Sequence, residues 1–111
     1  MLIASRLLKL TAGTTDIDIP IRIFLPKQGG DGGWFCRYEI DWSGKTWRSA
    51  GWGVDSVQAI LMTMQKIGTE IYMSEYHKSG RLLWTAPGRG YGFPVPSNLR
   101  DLLIGDDARE A

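Results

Sequence analysis

The sequence predicts an α+β domain: a four-stranded antiparallel meander with one long helix packed on one face, then an extended Gly/Pro segment and a short C-terminal helix. Three observations point to it. Apolar and polar residues alternate through the first half of the chain. Apolar residues then recur at helical spacing. A glycine- and proline-rich stretch with neither period follows. A sheet needs one face covered, and a single amphipathic helix supplies that cover.

The strands come first. Ile3 to Leu10 forms the opening strand, and Thr11 to Thr15 its turn. Ile17, Ile19, Ile21, Ile23 and Leu25 share one face of the next strand, with Asp18 and Arg22 on the other. Pro20 lacks an amide donor, which predicts an edge position or a bulge there. Gln28 to Gly33 is a loop. It leads to a strand with Trp34, Cys36, Tyr38, Ile40 and Trp42 facing the core and Arg37, Glu39 and Asp41 facing away. Ser43-Gly44 then turns tightly into Lys45 to Ala50. Trp47 and Trp52 fall on opposite parities of this segment, so one faces outward unless Gly51 forms a bulge.

From here the period lengthens. Val57, Ile60, Leu61, Met64, Ile67 and Ile71 make a helical stripe. Asp55 is placed to cap the helix, and Gln58 completes a capping-box pattern. Gly68 inside a helix costs roughly 1 kcal/mol against alanine, and close approach of another segment would explain it. The helix should end between Tyr72 and Ser79, with Gly80 taking the left-handed conformation. His77 and Lys78 then sit near the negative end of the helix dipole.

Arg81 to Trp84 reads as a short strand, and Ala86 to Gly92 as a turn-rich loop. Phe93-Pro94-Val95-Pro96 must be extended, because proline excludes the helical region for the residue before it. Asn98 can cap a short helix over Leu99 to Ile104. Residues 1–105 then make one domain, with 106–111 a flexible charged tail.

Composition narrows the function. Among 111 residues, 13 Lys and Arg face 12 Asp and Glu, a net charge of +1. No segment is strongly basic, which argues against nucleic-acid binding. The lone Cys36 cannot form an internal disulfide and fits a reducing compartment. MLIASRLLKL is interrupted by Arg6 and Lys9, so it reads as neither signal peptide nor membrane span. The expected setting is cytoplasmic.

Motifs of catalysis fail on context. Gly44-Lys45-Thr46 has the end of a phosphate-binding loop, but Glu39 stands where the pattern needs glycine, and a strand follows instead of a helix. Gly88, Gly90 and Gly92 are followed by Phe93 and prolines, not by the helix of a dinucleotide site. His77 is the only histidine, and with one remote cysteine it does not make a metal site. Cys36 lies on the core side of its strand. No catalytic residue, metal or cofactor is assigned. Binding candidates remain: Tyr76, His77, Lys78, Arg81, Arg89 and Tyr91 around the end of the helix and the glycine loop, and Trp52 from the pair of tryptophans of opposite parity. Arg22, Arg37 and Arg48 with Glu39 and Asp41 should form a cross-strand charge lattice.

The strings CRYEIDW, GVDSVQAI, YHKSGRLLW and GYGFPVP, in this order, resemble a family of small bacterial proteins known only as a domain of unknown function. The resemblance spans about Ile3 to Asp107. It implies a bacterial, cytoplasmic, single-domain protein and brings no activity, cofactor or catalytic residue.

Three function classes follow. Five tryptophans, with arginines beside the outward one, suit a non-enzymatic protein–protein interaction domain. Its partner is another protein or a second copy of the chain. It could be a regulatory partner, or one that binds and blocks another protein as bacterial immunity proteins do. The alternative is a small-molecule or anion-binding domain or an enzyme, built at Tyr76 to Arg81 and Arg89 to Tyr91. A third is single-stranded nucleic-acid binding on the arginine-bearing face.

Overall fold

A computed structural model describes residues 1–110. Its sheet has six strands, all paired antiparallel. Strands β1 (Leu2–Ala12) and β2 (Thr15–Phe24) form a long hairpin, β3 (Lys27–Gln28) is brief, and β4 (Trp34–Asp41) and β5 (Thr46–Gly53) form a second hairpin. Helices α1 (Ser56–Met73) and α2 (Glu75–Lys78) follow, then β6 (Leu82–Leu83), which pairs with β1. A 3-10 helix over Ser97–Leu102 and α3 (Gly105–Glu110) come last. β2 and β3 share one edge of β4, and β5 takes the other. The expected meander is therefore present, with two short strands added.

Parity behaves as expected in β4, where Cys36, Tyr38 and Ile40 are buried and Arg37 is exposed. Ser43 and Gly44 both take positive φ, the geometry that closes a two-residue hairpin along the natural twist of the strands. β5 carries no bulge: Trp52 pairs with Phe35 and faces outward, and Trp47 pairs with Ile40 on the helix side. β2 departs from expectation at two places. Pro20 does not mark an edge strand, since β2 lies between β1 and β4. Its pairing with β4 covers only Ile21 to Ile23, so Pro20 sits just beyond that contact, where no N–H donor to β4 is needed. Leu25, expected in the core, is exposed because β2 ends at Phe24 and Pro26 follows.

The Asp55 carboxylate caps the helix as expected, accepting from Gln58 N–H at 2.8 Å, but Gln58 Oε1 accepts from Val54 N–H at 2.7 Å, one residue before the cap, and not from Asp55 N–H as a capping box would have it. Its buried face is rotated from the predicted stripe. Ala59, Thr63, Ile67, Gly68, Ile71 and Tyr72 are buried, whereas Val57 is 72% exposed and Leu61 50%. The cause lies in β5. A Cβ on Gly51 would come 2.3 Å from Thr63 N, and one on Gly53 would come 2.5 Å from Ala59 N. The bare glycine backbone lets α1 settle directly on the strand, and small helix residues face it. The Thr63 hydroxyl accepts from Gly51 N–H at 2.9 Å and donates to the Cys36 carbonyl at 2.6 Å, bridging two paired strands from above.

α1 packs on β4 and β5. The other half of the sheet is covered by the extended segment, in which Tyr91, Phe93 and Val95 are buried on alternate positions. This strap also lies against α1: a Cβ on Gly68 would be 2.0 Å from the Pro94 carbonyl oxygen. Gly68 is thus the crossing point of helix and strap. Helix and strap together form the second layer.

The predicted C-terminal helix over Leu99 to Ile104 is a 3-10 turn that begins two residues earlier, at Ser97, and has no side-chain cap from Asn98. Of the tail expected over 106–111, residue 111 lies outside the described residues. Residues 106–110 belong to α3, with Asp107 bound to the strap amides and Asp106 to Arg89 in the preceding loop rather than free in solvent.

Candidate functional site

Three of the seven residues singled out from the sequence, Tyr76, His77 and Tyr91, turn inward near the strap, Tyr91 buried and the other two half-buried. Ser74 ends α1 and caps α2, which turns the chain so that Tyr76 and His77 point back inward. Tyr76 stacks on Trp42 with ring centroids 4.9 Å apart. His77 Nδ1 lies 2.6 Å from the Tyr91 hydroxyl, and the Tyr91 hydroxyl is 3.3 Å from the Leu82 carbonyl, to which it donates. Tyr72 and Tyr91 meet the imidazole edge-on. Burial disfavours charge here: it holds the His77 pKa below its ordinary value and pushes Tyr91 up to about 12, with the Asp107 charge adding to the latter. Tyr91, a binding candidate from the sequence, is only 2% exposed. The alternation that starts at Tyr91 and runs through the strap requires that face to be buried.

The remaining candidates diverge. Lys78 is exposed at the end of α2. Arg81 is exposed and donates to Ser79 Oγ at 3.1 Å. Arg89 is occupied by the Asp106 carboxylate at 2.9–3.2 Å through two guanidinium nitrogens. Trp52 is on the opposite face of the sheet. The seven do not form one open site.

Two residues that sequence reasoning passed over organise the strap. Asp107 accepts from the amides of Tyr91 at 2.8 Å and Gly92 at 2.7 Å and from the Tyr72 hydroxyl. Arg6 donates to the carbonyls of Tyr91 and Gly92, both at 3.1 Å, while its guanidinium lies 3.9 Å from the Trp84 ring centroid. Arg6 had a signal: it shares its parity with the buried Leu8 and Leu10, and a cation on a core face needs partners. Asp107 had none, because its partners are 15 to 35 residues away.

The helix-free face of the sheet is different in kind. Glu39 binds Arg48 at 2.9 Å and Arg22 at 3.5 Å, as the expected lattice requires. Asp41 instead accepts from Ser43 N–H at 3.3 Å, and Arg37 extends over the Phe35 ring at 5.4 Å. Phe35 and Trp52 pack with centroids 5.2 Å apart, and Trp52 remains 60% exposed. Beside them Phe24, Leu25 and Phe35 line a depression of about 380 Å³ edged by Lys27, Arg37 and Arg48. No group of three His, Cys, Asp or Glu is placed to hold a metal among the described residues.

The model of a domain of unknown function, DUF6968, matches residues 4–95. The chain belongs to this family. The DUF6968 match takes in the sheet except the first two residues of β1, α1, α2 and the strap up to Val95, and stops short of the 3-10 helix and α3. No curated protein and no solved structure matches the chain. No helix is long and apolar enough to cross a membrane among the described residues.

Proposed function

We propose that this protein is a non-enzymatic interaction domain that docks a protein partner on the helix-free face of its sheet. The observation that carries this reading is the exposed Trp52, packed on Phe35 beside the depression edged by Lys27, Arg37 and Arg48. A large ring that is held in place yet open to solvent, with guanidinium groups around it, has the composition of an interface hot spot. Three cations against Glu39 around an apolar centre suit a partner with acidic groups around an apolar anchor. The free edge of β5 is less suited to docking, because Lys66 reaches over it to the Ala50 carbonyl at 2.8 Å. A cytoplasmic setting belongs to the same reading, supported by the lone buried Cys36, and a bacterial one rests on the family resemblance alone.

Affinity capture from the cells that encode the chain tests the reading, with sedimentation velocity to detect self-association. One stoichiometric partner, or a homodimer, should be retained by Val57→Glu on the helix side and lost by Trp52→Glu and by Arg37→Glu. The reading fails if association survives both outer-face variants.

A further inference from the structure

Past the strap the chain leaves a second cleft, on the side that carries α1, with a volume of about 670 Å³. Small-ligand sites occupy about 300–1,000 Å³ and combine an apolar lining with a few converging polar groups. This one has both: Trp84, Phe93 and Leu103 are its apolar wall, and Gln65, Arg89 and Arg100 reach its rim.

The wall is held from behind. The Arg6 guanidinium lies 3.9 Å from the Trp84 centroid and 4.9 Å from the Phe93 centroid, yet Arg6 does not line the cleft. It is fixed by two strap carbonyls. The rings are therefore set before any ligand arrives, which spares the cost of ordering them. The charges on the rim are not equivalent. Asp106 is taken by Arg89 and by Arg109 at 3.1 Å. Asp107 is taken by the strap amides and Tyr72. Arg100 is exposed and makes no ion pair or side-chain hydrogen bond among the described residues. One cation is left over at the mouth of an aromatic cleft. The two acids alongside would repel a highly charged anion such as a polyphosphate.

We infer that this cleft binds a small aromatic carboxylate, with its ring against Trp84 and Phe93 and its carboxylate on the Arg100 guanidinium. A guanidinium fork matches a carboxylate in shape as well as charge. The site lies on the opposite layer from Trp52, so it stands or falls independently of protein docking. Three of the residues discussed, Arg100, Leu103 and Asp106, lie past the residues matched by the family model.

Phenylacetate is the probe. It is titrated into isotope-labelled protein while the indole N–H signals are followed, with Trp84→Phe assigning one of them. The Trp84 signal should shift saturably and the Trp52 signal should stay in place. Benzyl alcohol, which has the ring without the charge, and acetate, which has the charge without the ring, should each bind about tenfold more weakly or worse. Arg100→Gln should weaken phenylacetate about tenfold, the loss of one charge-assisted contact, while Arg48→Gln leaves it unchanged. Arg100 is exposed, so its variant keeps the fold, and the same spectra verify this. The inference is overturned if the Trp84 signal does not move or does not saturate, if acetate binds as well as phenylacetate, or if Arg100→Gln binds it as the parent does.

Discussion

The two faces of the sheet use the same residue types to opposite ends. On the covered face, Tyr72, Tyr91, His77, Arg6 and Asp107 answer one another, and no buried side-chain nitrogen or oxygen lacks a partner among the described residues. On the open face, Trp52 and Arg37 rest on Phe35 and otherwise meet solvent. A cluster of titratable residues is often the first place to look for catalysis. Here that cluster fastens the strap to the helix and sheet, and the simpler open face is the one proposed to bind. The difference arises from the strap, which closes one side and cannot reach the other.

Substitutions should separate the faces by their effect on stability. The largest loss is expected where helix and sheet meet. Gly51→Val places a side chain against the Thr63 backbone, which cannot step aside, and should destabilise by about 3 kcal/mol or more in urea unfolding. Asp107→Ala removes the acceptor of two amides and the Tyr72 hydroxyl. It should cost about 2 kcal/mol and speed hydrogen exchange in the strap more than in β4. Thr63→Val keeps the shape but leaves Gly51 N–H and the Cys36 carbonyl without their bridge, again about 2 kcal/mol. If Asp107→Ala is neutral, the fastening account of the covered face is wrong.

Alkali offers a milder probe of the same face. Tyr91 keeps its proton up to about 12 when folded, against about 10 in an unfolded chain. Burial likewise raises Tyr38 and Tyr72. Between these values the unfolded chain has released its proton and the folded chain has not. Stability is therefore fully present below about pH 10 and falls as pH rises toward 12. Tyr91→Phe should lower the starting stability, because it loses the contacts to His77 and Leu82, and should flatten this slope. An unchanged slope would mean that the phenol is open to solvent.

How far the sequence could be read follows from the range of each interaction. Alternation in β4 and the Asp55 cap depend on neighbours within a few residues, and they were legible. The helix face was not, since Val57 and Leu61 lost their place to Ala59 and Thr63 through glycines on another element. Hydrophobicity alone ranks valine and leucine above alanine and threonine; only close approach reverses the order. Trp52 could be assigned outward by parity once β5 was known to be regular. The strap was legible as extended from its prolines, but not as the partner of Gly68. Asp107 looked like part of a solvated tail because nothing local distinguishes a free aspartate from one that binds a distant amide pair.

The smallest expected change in stability is also the most informative for function. Trp52 is 60% exposed and touches mainly Phe35. Trp52→Ala should therefore shift unfolding by only about 0.5 kcal/mol, the range of surface substitutions. A hot-spot tryptophan truncated at an interface costs about 2 kcal/mol or more, roughly thirtyfold in affinity. The two effects are read by different measurements, chemical unfolding and titration with the captured partner. A variant that folds as the parent does and loses its partner would place the function on the open face. A variant that loses several kcal/mol would instead make Trp52 part of the framework, and the contrast between the two faces would have to be drawn elsewhere.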